Sequence, residues 1–309
     1  MDARRLSGAR AALCLLFIIG LGSRAAAYDA ASLAADAAAF LSAEDRMHMD
    51  ISVSVAALRK SQPLMSPSQG LALSADLSVG MAIAPSFEYR GLIGSGGPFA
   101  GFADSGPADS AQALCAGGAI AFPSGLGLNL DASFSPPLNL DGATKSLLRI
   151  GASGYWRILP ERFYSVGMLV GGGASYVRGT EARSIETGFN DHGATRAFSG
   201  QLDSQWNCGI LDLELFLHKT FFIINFYARA NLCLVFGSSS SSLSGIEVDG
   251  SALPGAQAEY SSVLGSPGAG IVLAGGMELI LGELKLAAEA GRDWLSGSLY
   301  GSVGCRFGM

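Results

Sequence analysis

The residues able to carry metal or acid–base chemistry are few and scattered along the chain. The three histidines are His48, His192 and His218, and their spacing does not resemble that of a metal site. Asp191 precedes His192 in the segment FNDHG, which could serve hydrolysis, but solvated loop residues are the simpler interpretation. The segment GGGASY (171–176) lacks the lysine and the following helix of a phosphate-binding loop. We therefore predict no catalytic, metal-binding or cofactor-binding residue, and a protein that is not an enzyme.

The N-terminal segment predicts export. Arginines in MDARRLSGAR precede an apolar run from Leu13 to Leu21, and the small residues Ala25, Ala26 and Ala27 follow. The apolar run is too short for a membrane helix, which needs about 20 residues, and it fits a secretory signal peptide. We predict that residues 1–27 are a signal peptide and that the mature chain begins at Tyr28.

The remaining chain is unusually apolar for an exported protein, yet it contains no candidate membrane helix. Hydrophobic residues make up 49% of the sequence and the mean hydropathy is +0.35. The best candidate, residues 268–281, is too short and contains Glu278. In residues 221–237, polar side chains alternate with apolar ones, which is the period of a strand with two different faces. Closed β-barrels are the strand structures that can cross a membrane, because they leave no backbone group unpaired.

The same alternation recurs along the chain and indicates an all-β fold, a transmembrane antiparallel up-and-down β-barrel. We predict about twelve strands at 49–58, 71–83, 86–93, 110–121, 126–134, 146–158, 163–177, 200–217, 221–236, 268–281, 284–294 and 297–309. If 71–90 is one long strand, the count falls to about ten and 49–58 packs elsewhere. Short connections alternate with long ones, including 178–199 and 237–265, which is typical of outer-membrane barrels with short periplasmic turns and long external loops.

One segment changes phase. The apolar residues Leu202, Trp206, Cys208 and Ile210 are even-numbered, whereas the apolar run that starts at Leu211 is odd-numbered. A β-bulge near Gly209 would absorb the extra residue and return the polar residues to a single face. Two short strands that meet there are the alternative, and we favour the bulge.

The chain ends in a strict alternation, LYGSVGCRFGM (299–309), that resembles the C-terminal assembly signal of outer-membrane β-barrel proteins of diderm bacteria, including porin-like proteins. In that family, the barrel-assembly machinery reads an alternating terminal strand that ends in an aromatic residue. Val303, Cys305 and Phe307 match the apolar positions, whereas Met309 replaces the usual aromatic residue. The resemblance covers nearly the whole mature chain, implies the barrel-assembly machinery as a partner, and identifies no subfamily.

The segment between the signal peptide and the barrel is rich in alanine and lacks strand periodicity. Leu33, Ala37, Phe40 and Leu41 form a modest helical stripe. We expect 28–48 to be a helical lead-in on the periplasmic side or a plug folded into the lumen, or else to be disordered, and we expect the barrel to comprise 49–309.

Charged and amide side chains fall on the polar faces of the predicted strands, where they would line a lumen. The pore-lining candidates are Asp76, Asp131, Arg149, Arg157, Asp203, Asp212, Glu214, Asn225, Arg229, Glu278, Lys285, Glu289 and Arg306. Without residues 1–27, which hold four arginines and one aspartate, the chain has 16 basic and 25 acidic residues, a net charge of −9. This charge disfavours nucleic-acid binding. The lumen could be a water-filled pore or be filled by paired charges, and strand number alone does not decide between them.

These observations predict an integral protein of the cell outer membrane, in contact with outer-membrane lipid. A porin-like channel for small polar solutes is our first hypothesis. A closed structural or adhesive barrel that acts through its surface loops is the alternative, and a barrel-rim hydrolase is a third. The solute, the oligomeric state, the pore diameter and any loop ligand are not encoded in a recognisable pattern.

Overall fold

The computed structural model describes residues 28–58, 71–84, 97–100, 109–140, 143–191, 193–265 and 267–308. The signal-peptide prediction, the predicted strand 86–93, His192 and Met309 lie outside these residues. Among these residues, one helix precedes the strands. The elements are α1 (Ala30–Ala57), β1 (Ala72–Ala84), β2 (Asp109–Ala121), β3 (Leu126–Leu140), β4 (Ala143–Leu159), β5 (Gly167–Asp191), β6 (Ala194–Phe221), β7 (Ile224–Val248), β8 (Glu259–Gly265), β9 (Gly268–Leu281), β10 (Leu284–Asp293) and β11 (Leu299–Gly308).

The strands form a closed antiparallel ring. Each neighbour in the order β1 to β7, then β9, β10 and β11, is hydrogen-bonded to the next. The ring closes where β11 pairs with β1, from Ser74 opposite Gly308 to Ile83 opposite Leu299. Strands β8 and β9 pair with successive parts of β7, so they occupy one position. The described ring therefore has ten positions, which is the alternative strand count rather than the preferred count of twelve.

A belt of exposed apolar side chains surrounds the ring. On β6, Leu211, Leu213, Leu215 and Leu217 all point outward and are exposed, and the other strands contribute similar residues. Aromatic residues such as Phe163 and Tyr164 are exposed at the short turns, as in the aromatic girdles of membrane barrels. An outward apolar belt on a closed ring confirms the predicted transmembrane β-barrel class.

The two ends of the ring differ. One end, here called the short-turn end, carries the tight connections at 122–125, 222–223 and 282–283. At the other end, the long-strand end, β5, β6 and β7 reach 25, 28 and 25 residues. A tilted membrane-spanning strand needs only about 9–11 residues. The extra length forms paired strands beyond the apolar belt, so the predicted long loops 178–199 and 237–265 are wrong over most of their length.

The predicted bulge near Gly209 is also wrong. The β5–β6 register is unbroken from Gly167 opposite His218 to Asp191 opposite Ala194. Even-numbered residues of β6 face inward throughout, so Leu202 and Glu214 lie on the same inner face. The backbone of β6 continues without a bulge. The apolar and polar surroundings exchange sides instead, because β6 leaves the apolar belt near residue 209. Below this level the outer face of β6 is apolar and its inner face carries charges, and above it the outer face is polar and the inner face of β6 is mainly apolar.

Helix α1 extends further than the sequence predicts. Asp29 caps its N-terminus by accepting a hydrogen bond from the Ser32 N–H at 2.8 Å. The helix continues to Ala57, so the strand predicted at 49–58 is wrong. Every residue from Ile51 to Leu58 is buried. A helix pairs its backbone internally, which suits a segment enclosed by the ring, whereas a strand there would need neighbours to pair with. The described helix is not long and apolar enough to cross a membrane.

Candidate functional site

The inside of the ring holds α1, which enters at the long-strand end. The N-terminal half of the helix packs into an apolar cluster that we call the head core. Its buried members are Leu33, Ala37, Phe40, Leu41, Phe99, Ile185, Phe189, Phe198, Leu202, Leu243, Ile246, Val248 and Tyr260. Phe40 stacks on Phe99 with ring centroids 4.6 Å apart. Most of the strand residues in this cluster lie above the apolar belt, so this end has an apolar interior and a polar exterior, like a soluble domain.

The start of the described chain is fixed to the tip of the β5–β6 hairpin. The Tyr28 backbone N–H donates to the Asp191 carboxylate at 3.1 Å, and the Tyr28 hydroxyl donates to Asp36 at 3.0 Å. Burial raises the pKa of the Asp36 carboxyl and also raises the pKa of the Tyr28 hydroxyl, to which the neighbouring Asp36 charge contributes. These contacts place the N-terminal end of α1 at the long-strand end.

Below the head core, α1 is held by charged groups that we call the anchor cluster. Arg183 of β5 donates to Glu44 at 2.6 Å. His48 Nε2 lies 3.2 Å from Glu181 Oε2, and Lys145 of β4 contacts the same carboxylate at 2.9 Å. Glu44, His48 and Glu181 are all buried. Removing one partner from such a buried pair leaves an uncompensated charge, so this cluster resists the helix being pulled out.

The anchor cluster also contains a buried aspartate that is held by hydroxyl groups. Ser239 and Ser241 donate to Asp45 Oδ1 at 2.9 and 2.7 Å, and Ser262 donates to Oδ2. The serine-rich segment at the start of the predicted loop 237–265 therefore forms a hydrogen-bonding wall for the helix. The imidazole of His48 stacks on Trp206 with ring centroids 4.2 Å apart.

The C-terminal end of α1 lies about halfway along the ring. Arg229 of β7 donates to the Ala57 carbonyl, to the Glu289 carboxylate and to the Tyr300 hydroxyl. Arg229, Glu289 and Tyr300 come from β7, β10 and β11, on both sides of β9. Leu58 packs so closely against β1 that a Cβ built on Gly80 would lie 2.7 Å from its side chain.

Towards the short-turn end, the inner wall carries paired charges and amides. Arg149 forms an ion pair with Asp131. Arg306 donates to Asp76 at 2.6 Å, and its guanidinium lies 3.6 Å from Glu278. The buried members of the predicted pore-lining set are Asp76, Asp131, Arg149, Asp212, Glu214, Asn225, Arg229, Glu278, Glu289 and Arg306. They lie on the inner face, where most of them contact one another or neighbouring strands.

The remaining predicted residues have other positions. Asp203 is exposed on the outer face of β6, above the apolar belt, so its assignment to the lumen is wrong. Arg157 and Lys285 are partly exposed near the short-turn end. In the predicted assembly signal, Val303 and Phe307 point outward and are exposed, and Cys305 is partly buried.

Sequence reasoning missed the anchor cluster as a unit. Its residues come from α1, β4, β5, β7 and β8, so no short spacing reveals it. Glu44 and His48 are one helical turn apart, which is the only local signal. Predicting that this turn faces Glu181 requires knowing that the helix lies inside the ring.

No protein-family model and no curated protein sequence matches the chain. Among solved structures, the outer-membrane protease OmpT from Escherichia coli is similar with a TM-score of 0.44 and 9% identity, covering 81% of this chain and 100% of that chain. The translocator domain of the autotransporter NalP from Neisseria meningitidis gives 0.39 and 12%, covering 90% and 99%. The transport unit of the autotransporter AIDA-I from Escherichia coli gives 0.35 and 10%, covering 86% and 97%. Such similarity concerns the outer-membrane β-barrel fold alone.

Proposed function

We propose that this protein is a closed outer-membrane barrel, plugged by α1, that acts at the cell surface through its long-strand end. The observation that carries the proposal is the packing of α1 inside the ring, with buried contacts along its whole length. The helix buries apolar side chains in the head core and ties charged ones to the wall. A porin-like channel needs a continuous water-filled path, and among the described residues this path is occupied by α1.

The orientation follows from the two ends of the ring. Outer-membrane barrels have short turns on the periplasmic side and longer extensions outside. The long-strand end would then project from the membrane and present the polar outer faces of β5, β6 and β7 to the medium. Its apolar interior and its hydrogen-bonded strands make this projection a folded surface rather than a set of loose loops.

Single-channel recording of the refolded full-length protein in a planar bilayer tests the closed state. We expect a folded barrel, recognised by heat-modifiable migration on gels, that shows no stable open steps. Stable open steps with the wild-type chain would overturn the closed state and support the porin-like channel.

Cysteine labelling on intact cells tests the orientation. Ser251→Cys places a thiol at an exposed turn of the long-strand end, and Glu283→Cys places a matched thiol at an exposed short turn. A membrane-impermeant maleimide should label Ser251→Cys and spare Glu283→Cys, with the unmodified chain as the background. The reverse pattern would contradict a surface role for the long-strand end.

A porin-like state remains a second candidate because of one observation, the charged inner wall near the short-turn end. Asp131, Arg149, Asp76 and Arg306 line part of the ring there, beside a buried cluster of Tyr155, Leu169, Phe216 and Tyr227. Conduction along this wall would require α1 to leave the ring. A conducting state that appears only after the helix contacts are broken would identify a gated channel.

A further inference from the structure

Three groups of the anchor cluster converge on one point. Glu44 and His48 lie one turn apart on α1 and face Glu181 on β5. Their potential ligand atoms all lie within 4.8 Å of one another, and the three residues are 6%, 0% and 2% exposed. Two carboxylates and an imidazole are donors that suit first-row divalent cations.

The tautomer of His48 decides how its imidazole meets Glu181. The single proton of the Ser239 hydroxyl is donated to Asp45 at 2.9 Å, so that hydroxyl can only accept from His48 Nδ1, which is 3.5 Å away. A neutral imidazole with its proton on Nδ1 has a lone pair on Nε2. In this tautomer the lone pair faces Glu181 Oε2 at 3.2 Å, and a cation fits between the two acceptors. In the other tautomer Nε2–H donates to Glu181, and a cation would take the place of that proton.

A second buried acceptor points to the same place. Glu44 accepts a hydrogen bond from Arg183 through Oε1, whereas its Oε2 is buried without a hydrogen-bond partner. A buried carboxylate oxygen without a partner is costly. We propose that Glu44, His48 and Glu181 form a binding site for a divalent cation such as Zn²⁺, which joins α1 to the wall of the barrel.

The geometry allows this with small movements. Two ligands of a tetrahedral Zn²⁺ ion, each about 2 Å from the metal, lie about 3.3 Å apart. The three groups therefore need to approach one another by at most about 1.5 Å, which side-chain rotation can supply. Arg183 and Ser239 would orient Glu44 and His48 from behind, as outer contacts do in metal sites.

The surrounding charges can balance a metal ion. Glu44, Asp45 and Glu181 supply three negative charges, and the positively charged neighbours are Arg183 and Lys145. A proton on His48 would complete three positive charges and neutralise the cluster. A divalent cation does the same if it replaces that proton and the Lys145 ammonium. The Lys145 side chain is 26% exposed, so it can turn towards solvent and open a route to the site.

The other groups packed against His48 do not oppose a cation. Ser239 and Ser241 are uncharged hydroxyl groups that already satisfy Asp45. Trp206 presents its ring face to the imidazole. Cation binding can be measured whether the barrel is closed or conducting, so the proposal stands apart from the proposed function.

Equilibrium dialysis with Zn²⁺ alone, on the refolded full chain stripped of metal, tests the site. We expect one equivalent of Zn²⁺ to bind the wild type and affinity to fall about tenfold or more in His48→Gln and Glu181→Gln. His218→Gln is the matched control, since His218 pairs with Glu161 outside the anchor cluster, and it should bind like the wild type. Heat-modifiable migration establishes that each variant is folded.

Lys145→Met gives a result that misfolding cannot imitate. Removing the competing ammonium should tighten Zn²⁺ binding, because the metal no longer displaces a positive charge. Absence of Zn²⁺ binding to folded wild-type protein would overturn the proposal and leave a hydrogen bond between His48 and Glu181. Binding that His48→Gln does not weaken would also overturn it, because the metal would then lie elsewhere.

Discussion

Arg229 on β7 and Glu289 on β10 form an ion pair inside the ring, although β9 lies between their strands. Both side chains are buried, and the Tyr300 hydroxyl contacts each of them. The same guanidinium donates to the Ala57 carbonyl at the end of α1. One arginine therefore joins three strands of the wall to the last turn of the helix.

We predict that Arg229→Met destabilises the barrel by about 3–5 kcal/mol, because Glu289 is left buried without its cation. The double variant Arg229→Met/Glu289→Met should recover a large part of this loss, since both charges are then absent. Urea unfolding in lipid vesicles, followed by tryptophan fluorescence, measures the difference. A double variant that is as unstable as the single one would show that the arginine acts mainly through the helix and Tyr300.

The level at which β6 leaves the membrane predicts a position-dependent effect of charge. Leu213→Arg places a charge within the apolar belt and should cost about 2–4 kcal/mol near the bilayer midplane. Asp203→Arg is on the same outer face but above the belt, so it should leave folding nearly unchanged. Folding yield into vesicles compares the two variants. Equal damage would contradict the membrane boundary near residue 209.

The sequence predicts the barrel class well because the alternation of apolar and polar residues is local. It fails at β6, where Leu202 and Leu211 are both apolar but lie on opposite faces. Periodicity reports a contrast between two faces, and it cannot say which face is inside. At the membrane boundary the outside changes from apolar to polar, and the inner face of β6 changes in the opposite sense. A straight strand that crosses this boundary therefore produces the same sequence pattern as a bulge.

The sequence predicts the helix only as far as residue 48, for a related reason. Ile51, Val53 and Val55 alternate with small polar residues and have high strand propensity. Inside the ring these residues are buried on all sides, so the pattern no longer distinguishes two environments and enclosure overrides propensity. The contacts of Glu44 and His48 with β5 depend on this placement. They could not be predicted from local spacing.

Close packing between β4 and β5 predicts a glycine requirement. A Cβ added at Gly171 would lie 2.7 Å from the Gly154 carbonyl oxygen and would collide with the Tyr155 ring. Gly171→Ala should therefore destabilise the barrel by about 1–3 kcal/mol. Gly275→Ala is the control, because its Cβ would lie at an ordinary 3.8 Å from the nearest atom. If both variants unfold at the same urea concentration, the strands can separate more easily than this packing implies.

The raised pKa of Asp36 predicts that the docking of α1 in the head core depends on pH. Burial raises its pKa above the ordinary value of 3.8, so the docked helix holds the proton more tightly than the undocked one. As the pH falls from neutral through this raised pKa, the contribution of Asp36 to docking should become more favourable, and it should level off near 3.8. Asp36→Asn should remove this dependence and protect the helix at neutral pH at least as well as the wild type.

Hydrogen exchange of the amides in residues 33–41, corrected for the intrinsic pH dependence, measures this effect. The contribution of Asp249 to stability has the opposite pH dependence, because the Ala197 N–H and Arg196 lower its pKa. Its contribution is present above 3.8 and is lost only as the pH falls through its lowered pKa. Wild-type protection that decreases steadily from neutral pH to 4 would contradict the role of Asp36.

The last strand is required for closure of the ring. β11 pairs with both β1 and β10, and Arg306 adds contacts with Asp76 and Glu278. Deleting residues 306–309 removes the pairs opposite Ser74, Ala75 and Asp76, and exposes backbone groups of β1 at the start of the strand. Unpaired backbone groups cost several kcal/mol each in lipid. The two carboxylates that contact Arg306 would also remain buried without it.

We therefore expect the truncated chain not to assemble, so that its migration on gels no longer changes with heating. Met309→Phe keeps every described pair of β11 and should assemble like the wild type. Arg306→Met separates the two contributions, because it removes the charge and retains the backbone pairing. An intermediate loss in Arg306→Met would show that both the ion pairs and the strand pairing hold the seam. A truncated chain that still inserts and remains heat-modifiable would show that the ring closes without the end of β11.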